Sequence, residues 1–105
     1  MTRDQAVELL FAEIARAEGK HPNWPQDRLR QVVVVAEEAG EALQAGLNIV
    51  EAEEELILSR PEGYNITLAY NNMAMLEDKL QTEMIHTGAM ALRWLMNRVP
   101  LYAKA

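Results

Sequence analysis

Cysteine is absent from this chain, which excludes disulfides and thiolate metal sites and fits a reducing compartment. Basic residues are scarce. Ten Lys and Arg stand against sixteen Asp and Glu, a net charge of −6. A general nucleic-acid backbone binder would normally carry a basic patch, so binding to a nucleic-acid polymer is not expected. Nucleotides stay open, because a metal ion can bridge an acidic protein and an anionic phosphate. No apolar run approaches the roughly eighteen residues that span a membrane. The first residues, Met1-Thr2-Arg3-Asp4-Gln5, lack the basic-then-apolar pattern of a secretory signal. These absences lead to the expectation of a cytoplasmic protein with no membrane partner. Repeats, low-complexity tracts, linkers and alternating strand patterns are missing too. The expectation is therefore one domain over 1–105.

What is present is helical spacing. Thr2 or Asp4 is placed to cap a first helix that runs to about Glu18, with Gly19 as its stop and Val7, Leu10, Phe11, Ile14 and Ala15 on its apolar stripe. Lys20 to Gln26 reads as a loop, with Pro22, Trp24 and Pro25, and Asp27 is a plausible N-cap for the next helix. Gly46 and Asn48 could end or bend that helix, although Glu51 to Ser59 still looks helical. Arg60-Pro61-Glu62-Gly63 is a clear break. Asn65 or Thr67 starts the next helix, and a long last pattern runs from about Met73 to Val99. The fold class is all-α: a small antiparallel helical bundle of three or four helices.

The second helix carries the most informative residues. Val32 to Leu43 is almost wholly apolar, yet Glu37, Glu38 and Glu41 interrupt it. Carboxylates are costly to bury unless something cationic compensates them, and a divalent metal is the simplest candidate. At about 100° per residue, with Leu29 at zero, Leu29, Val32, Val33, Ala36, Gly40, Leu43 and Leu47 fall within about 60° of zero and read as the core stripe. Glu37, Glu41 and Glu38 fall near about 80°, 120° and 180°, on one arc beside it. On the last helix Glu83 shares a face with Leu76, Lys79, Leu80, His86, Thr87, Met90 and Trp94. If the two helices pack together, Glu37, Glu38, Glu41 and Glu83 can converge, a familiar way to build a metal site in a bundle.

These residues resemble a known family. Glu37-Glu38-Ala39-Gly40-Glu41 looks like the EExxE motif of the MazG-like nucleotide pyrophosphohydrolases. Glu83-Met84-Ile85-His86 stands in the place of their second motif, ExxD. The flanking segments and the Asn23-Trp24-Pro25 loop are similar to those of small, often phage-borne members, over roughly residues 20–50 and 76–98. Two departures stand out. His86 replaces the usual Asp, and 41 residues (42–82) separate Glu41 from Glu83, more than is usual in the family.

The resemblance implies an all-α enzyme that hydrolyses a nucleoside triphosphate to the monophosphate and pyrophosphate. A narrow dUTP or dCTP pyrophosphatase is a variant of the same logic. Mg²⁺, or Mn²⁺, would be held by Glu37, Glu38, Glu41 and Glu83 and would help generate the attacking hydroxide, with Glu38 and Glu41 as the catalytic residues. His86 is a reasonable ligand for Mn²⁺ or Zn²⁺ and a poor one for Mg²⁺; a packed structural histidine is its other reading. Trp24 could stack a base or plug the bundle end. Lys79 heads the candidate phosphate contacts, which include Lys20, Arg30, Arg93 and Arg98. Surplus apolar faces and the resemblance together point to a homodimer or homotetramer. The alternative function is a catalytically silent helical interaction module that retained the fold.

Overall fold

The computed structural model describes residues 1–58 and 65–98. It contains three helices, α1 (Arg3–Lys20), α2 (Arg28–Leu58) and α3 (Ile66–Met96), and no strand among the described residues. The expected all-α class holds. Thr2 is the N-cap of α1 and forms a reciprocal capping box with Gln5. The helix ends at Lys20, one residue past Gly19, and His21 is its C-cap. The Asp27 side chain accepts from the Leu29 N–H at the start of α2. Gly46 and Asn48 neither stop nor split that helix, which runs unbroken to Leu58. The Asn65 side chain caps α3 by accepting from the Leu68 N–H. The helix thus starts earlier than Met73 and ends at Met96. The break at Arg60–Gly63 and the end at Val99 lie outside the described residues.

α2 and α3 pack along each other, and α1 lies on α3. Glu38 lies near Glu83 and His86, while the earlier residues Val34 and Val35 pack around the later Ala89 and Met90, so the long pair is antiparallel. The inward residues follow a spacing of alternating threes and fours. On α2 they are Gln31, Val35, Glu38, Ala42, Ala45, Ile49, Ala52 and Leu56. On α3 they are Ala69, Met73, Leu76, Leu80, Glu83, Thr87, Met90 and Trp94, and all sixteen are buried or half-buried. This is the 3.5-residue seam of a coiled coil. α1 repeats the spacing with Ala6, Leu10, Glu13 and Ala17.

Two sequence expectations need correction. The stripe Leu29, Val32, Val33, Ala36, Gly40, Leu43 and Leu47 is not the core of this chain: Leu29 is 69% exposed and Leu43 66%. α2 is apolar nearly all round, so periodicity offered two faces. Ala42 and Ala45 allow a closer approach to α3 than Leu43 and Leu47 would. On α1, Leu10 and Ile14 turn inward, but Phe11 is 59% exposed, and Val7 and Ala15 are also exposed. The α3 face expected from Glu83 is the one that packs.

The core is thin. Ile14, Ala17, Ala89 and Met90 form its buried cluster, with Trp24, Val34, Val35 and Leu92 around it. The molecule measures 68 × 27 × 23 Å with a radius of gyration of 18.4 Å, against about 13 Å for a globule of 100 residues. Residues 49–58 and 66–75, within the long separation of the two glutamate blocks, extend α2 and α3.

α1 sits close enough to α3 that a Cβ on Gly88 would lie 2.7 Å from Leu10 Cδ2. Neighbouring Ala89 is fully buried. Ala89→Leu is expected to destabilise the fold by about 1–3 kcal/mol through overpacking. Ala12→Leu, on the exposed side of α1, should stay within about 0.5 kcal/mol of the parent. Urea unfolding followed by circular dichroism measures both.

Candidate metal centre

Each helix places one glutamate at an inward seam position: Glu13 on α1, Glu38 on α2 and Glu83 on α3. The three surround His86, which lies one turn beyond Glu83. His86 Nδ1 is 3.7 Å from Glu38 Oε2 and 3.8 Å from Glu83 Oε2. His86 Nε2, on the other side of the ring, is 3.4 Å from Glu13 Oε1. Glu38, Glu83 and His86 each offer one ligand atom, all within 4.8 Å of one another.

Glu83 is the decisive group. It is only 2% exposed, the most buried charged residue in the described chain. Lys79, one turn earlier, reaches its Oε1 at 2.6 Å. Its Oε2 is buried without a hydrogen-bond partner, and so is Oε2 of Glu38. Both orphaned oxygens face the same imidazole nitrogen. An unmet buried acceptor costs about 1–3 kcal/mol, and more when charged, so a cation between these atoms would meet a standing demand. The residues present thus fit a dication.

Charge is distributed unevenly around the cluster. The Lys79 hydrogen bond holds Glu83 below the usual carboxylate range against the opposing effect of burial, and the Glu83 carboxylate raises Lys79 in return. Glu41 is exposed at the rim, with its carboxyl against that of Glu83. The nearby Glu83 carboxylate, followed by repulsion from Glu38, raises the Glu41 pKa. The Arg16 guanidinium grips both oxygens of Glu13 and lowers its pKa.

The structure therefore brings Glu38, Glu83 and His86 together, with Glu41 and Lys79 beside them. Glu37 is exposed and does not join this group. Trp24 is half-buried against the core cluster. The Arg93 guanidinium lies 5.0 Å over its ring, and Arg93 Nη2 donates to the His21 carbonyl at 3.0 Å. That pairing, with Gln31 Nε2 donating to the Pro25 carbonyl, pins the loop to the bundle and uses Arg93 internally. Lys20, Arg30 and Arg98 are exposed. Glu13 escaped the sequence reading, although the spacing Ala6-Leu10-Glu13-Ala17 marks it as the one charged residue in an otherwise apolar seam.

Comparison with family models, curated proteins and solved structures gave no match to this chain. Among the described residues no helix is long and apolar enough to cross a membrane.

The raised pKa of Glu41 has a stability consequence. Its ionisation costs the folded chain more than the unfolded one, so the penalty is absent below the ordinary glutamate range and complete above the raised value. Glu41→Gln is expected to raise Tm at neutral pH in a chelating buffer and to leave it unchanged below about pH 4. Glu83 and Glu13 act in the opposite sense. Their contribution is present above the ordinary range and is lost as pH falls through their lowered values. Melting curves of parent and variant across pH test the sign. An equal Tm at neutral pH would contradict it.

Proposed function

We propose that this protein is a metal-dependent nucleoside triphosphate pyrophosphohydrolase of the MazG-like kind. The observation that carries the reading is the pair of buried, unbonded carboxylate oxygens, Glu38 Oε2 and Glu83 Oε2, aimed at one point from two antiparallel helices. They belong to the two sequence blocks that carry the resemblance. The Mg²⁺ or Mn²⁺ that the resemblance implies would supply a Lewis acid for phosphate oxygens and an acidified water.

The chain's own groups fit around that chemistry. Glu38 and Glu83 would hold the cation. Glu41, exposed at the rim with a raised pKa, is positioned to take a proton from a water. Glu37, exposed on the same helix, would reach the cation only through water. Lys79 is 64% exposed at its side chain and sits beside the carboxylates, where its ammonium can meet an incoming phosphate. A base stacks on Trp24 only if it shares the ring with Arg93.

A homodimer or homotetramer belongs to the same reading. The outward face of α2 carries a second seam, Leu29, Val33, Ala36, Gly40, Leu43, Leu47 and Val50, with the same three-four spacing as the seam against α3. All seven residues are exposed in the single chain. A second copy, bringing an identical seam across a two-fold axis, covers them and builds a four-helix core from two hairpins. Light scattering is expected to give a multiple of the 11.9 kDa chain mass at micromolar concentration. Leu43→Glu with Leu47→Glu should shift it toward the monomer.

The silent-module reading draws on His86 in the place of Asp. Incubation with a panel of NTPs and dNTPs plus Mg²⁺ or Mn²⁺, followed by pyrophosphate detection, separates the two. The expected result is pyrophosphate release from at least one triphosphate, abolished in Glu38→Gln and in Glu41→Gln. No release from any substrate with either metal, in a folded protein, would favour the silent module.

A further inference from the structure

We propose that His86 makes this centre select a first-row transition-metal dication over Mg²⁺, and that Glu13 is the positioning residue that presents the imidazole. The proposal rests on reading Glu38, Glu83 and His86 as a cation site, not on hydrolysis.

The two ring nitrogens of His86 face different chemistry. Nδ1 points to the two orphaned carboxylate oxygens at 3.7 and 3.8 Å. Bonds of about 2.1 Å to a common ion bridge atoms up to about 4.2 Å apart, so both separations suit a shared ion. Nε2 faces Glu13 Oε1 at 3.4 Å. A ligating histidine keeps its proton on the nitrogen away from the metal and offers it to a carboxylate, which fixes the tautomer and raises the basicity of the ligating nitrogen. Glu13 is held in turn by Arg16, whose exposed guanidinium donates to both of its oxygens. The resulting line, Arg16 to Glu13 to His86 to the Glu38–Glu83 pair, runs from α1 through α3 to α2.

The donor set therefore consists of two carboxylate oxygens and one imidazole nitrogen. Carboxylate and water ligands suit Mg²⁺, whereas imidazole shifts preference toward the later first-row ions. Mg²⁺ gains little from a nitrogen donor and would use the same two carboxylates with more waters. The sequence departure at position 86 thus becomes a choice of metal rather than the loss of a ligand. Because Glu13 lies far from both glutamate blocks in sequence, α1 acquires a role at the centre beyond packing.

Isothermal titration of the full chain with Co²⁺ and with Mg²⁺, without nucleotide, tests this, with Co²⁺ visible absorption reporting the ligand field. The parent is expected to prefer Co²⁺. His86→Asp should cut the Co²⁺/Mg²⁺ affinity ratio at least about tenfold and change the Co²⁺ spectrum, and Glu13→Gln should weaken Co²⁺ by about 10–100-fold. His86→Gln, which keeps the volume without the basic nitrogen, provides a second variant should the aspartate disturb folding, and circular dichroism checks each fold. An unchanged affinity ratio in the folded His86 variants, undiminished Co²⁺ binding in Glu13→Gln, or no metal binding by the parent would overturn the proposal. The outcome is separable from that of the hydrolase reading. Mg²⁺-supported pyrophosphate release indifferent to these variants would sink the metal selection alone. His86-dependent Co²⁺ binding without hydrolysis would sink the enzyme reading alone.

Discussion

Burial of the Glu83 carboxylate is the constraint around which this structure is arranged. A charge 2% exposed in a helical seam has to be compensated, and the chain supplies only part of what is needed. Lys79 satisfies one oxygen from the same helix. The other oxygen, with its counterpart on Glu38, is left to the imidazole of His86, which approaches both without hydrogen-bonding either. Replacing such a group by a well-packed apolar residue is often neutral or stabilising. Stability alone therefore does not account for its place at the centre of the α2–α3 contact.

The packing around that centre uses small residues where the helices approach closely. Ala42 and Ala45 on α2 and Ala89 on α3 are buried, and no large side chain is fully enclosed among the described residues. At roughly 25 cal/mol per Å² of apolar surface, alanines contribute little each, and the hairpin is long and narrow. Many larger apolar side chains lie outside on all three helices, and Leu29, Val33, Leu43, Leu47 and Val50 line the second seam of α2. A helix with two seams on opposite faces is well served by a partner on each, and the described residues provide only one.

Much of the fold was legible from spacing. Helices show in the sequence because their caps and periods are local: Thr2, Asp27 and Asn65 sit where they cap, and Glu83 shares its face with Leu76, Leu80, Met90 and Trp94 as the period requires. Two things were not legible. The packed face of α2 could not be chosen, because Val, Leu and Ala recur around its whole circumference and either seam satisfies a helical period. Glu13 could not be joined to the centre, because Arg16 three residues on explains it as an ordinary surface pair until α3 is seen beside it.

The sequence by itself determined the all-α class and the acidic positions that could meet, because these follow from local propensity and from period; that the pattern after Asn65 is one helix, making three in all, came from the structure. Only the tertiary structure decided that Ala42 and Ala45 rather than Leu43 and Leu47 face α3, that Glu38 enters the centre while Glu37 stays in solvent, and that His86 has carboxylates on both sides of its ring. The physical reason is rotation. Neighbouring residues on a helix point about 100° apart, so a modest turn of α2 about its axis, set by how closely α3 can approach, exchanges which glutamate is buried and which is exposed.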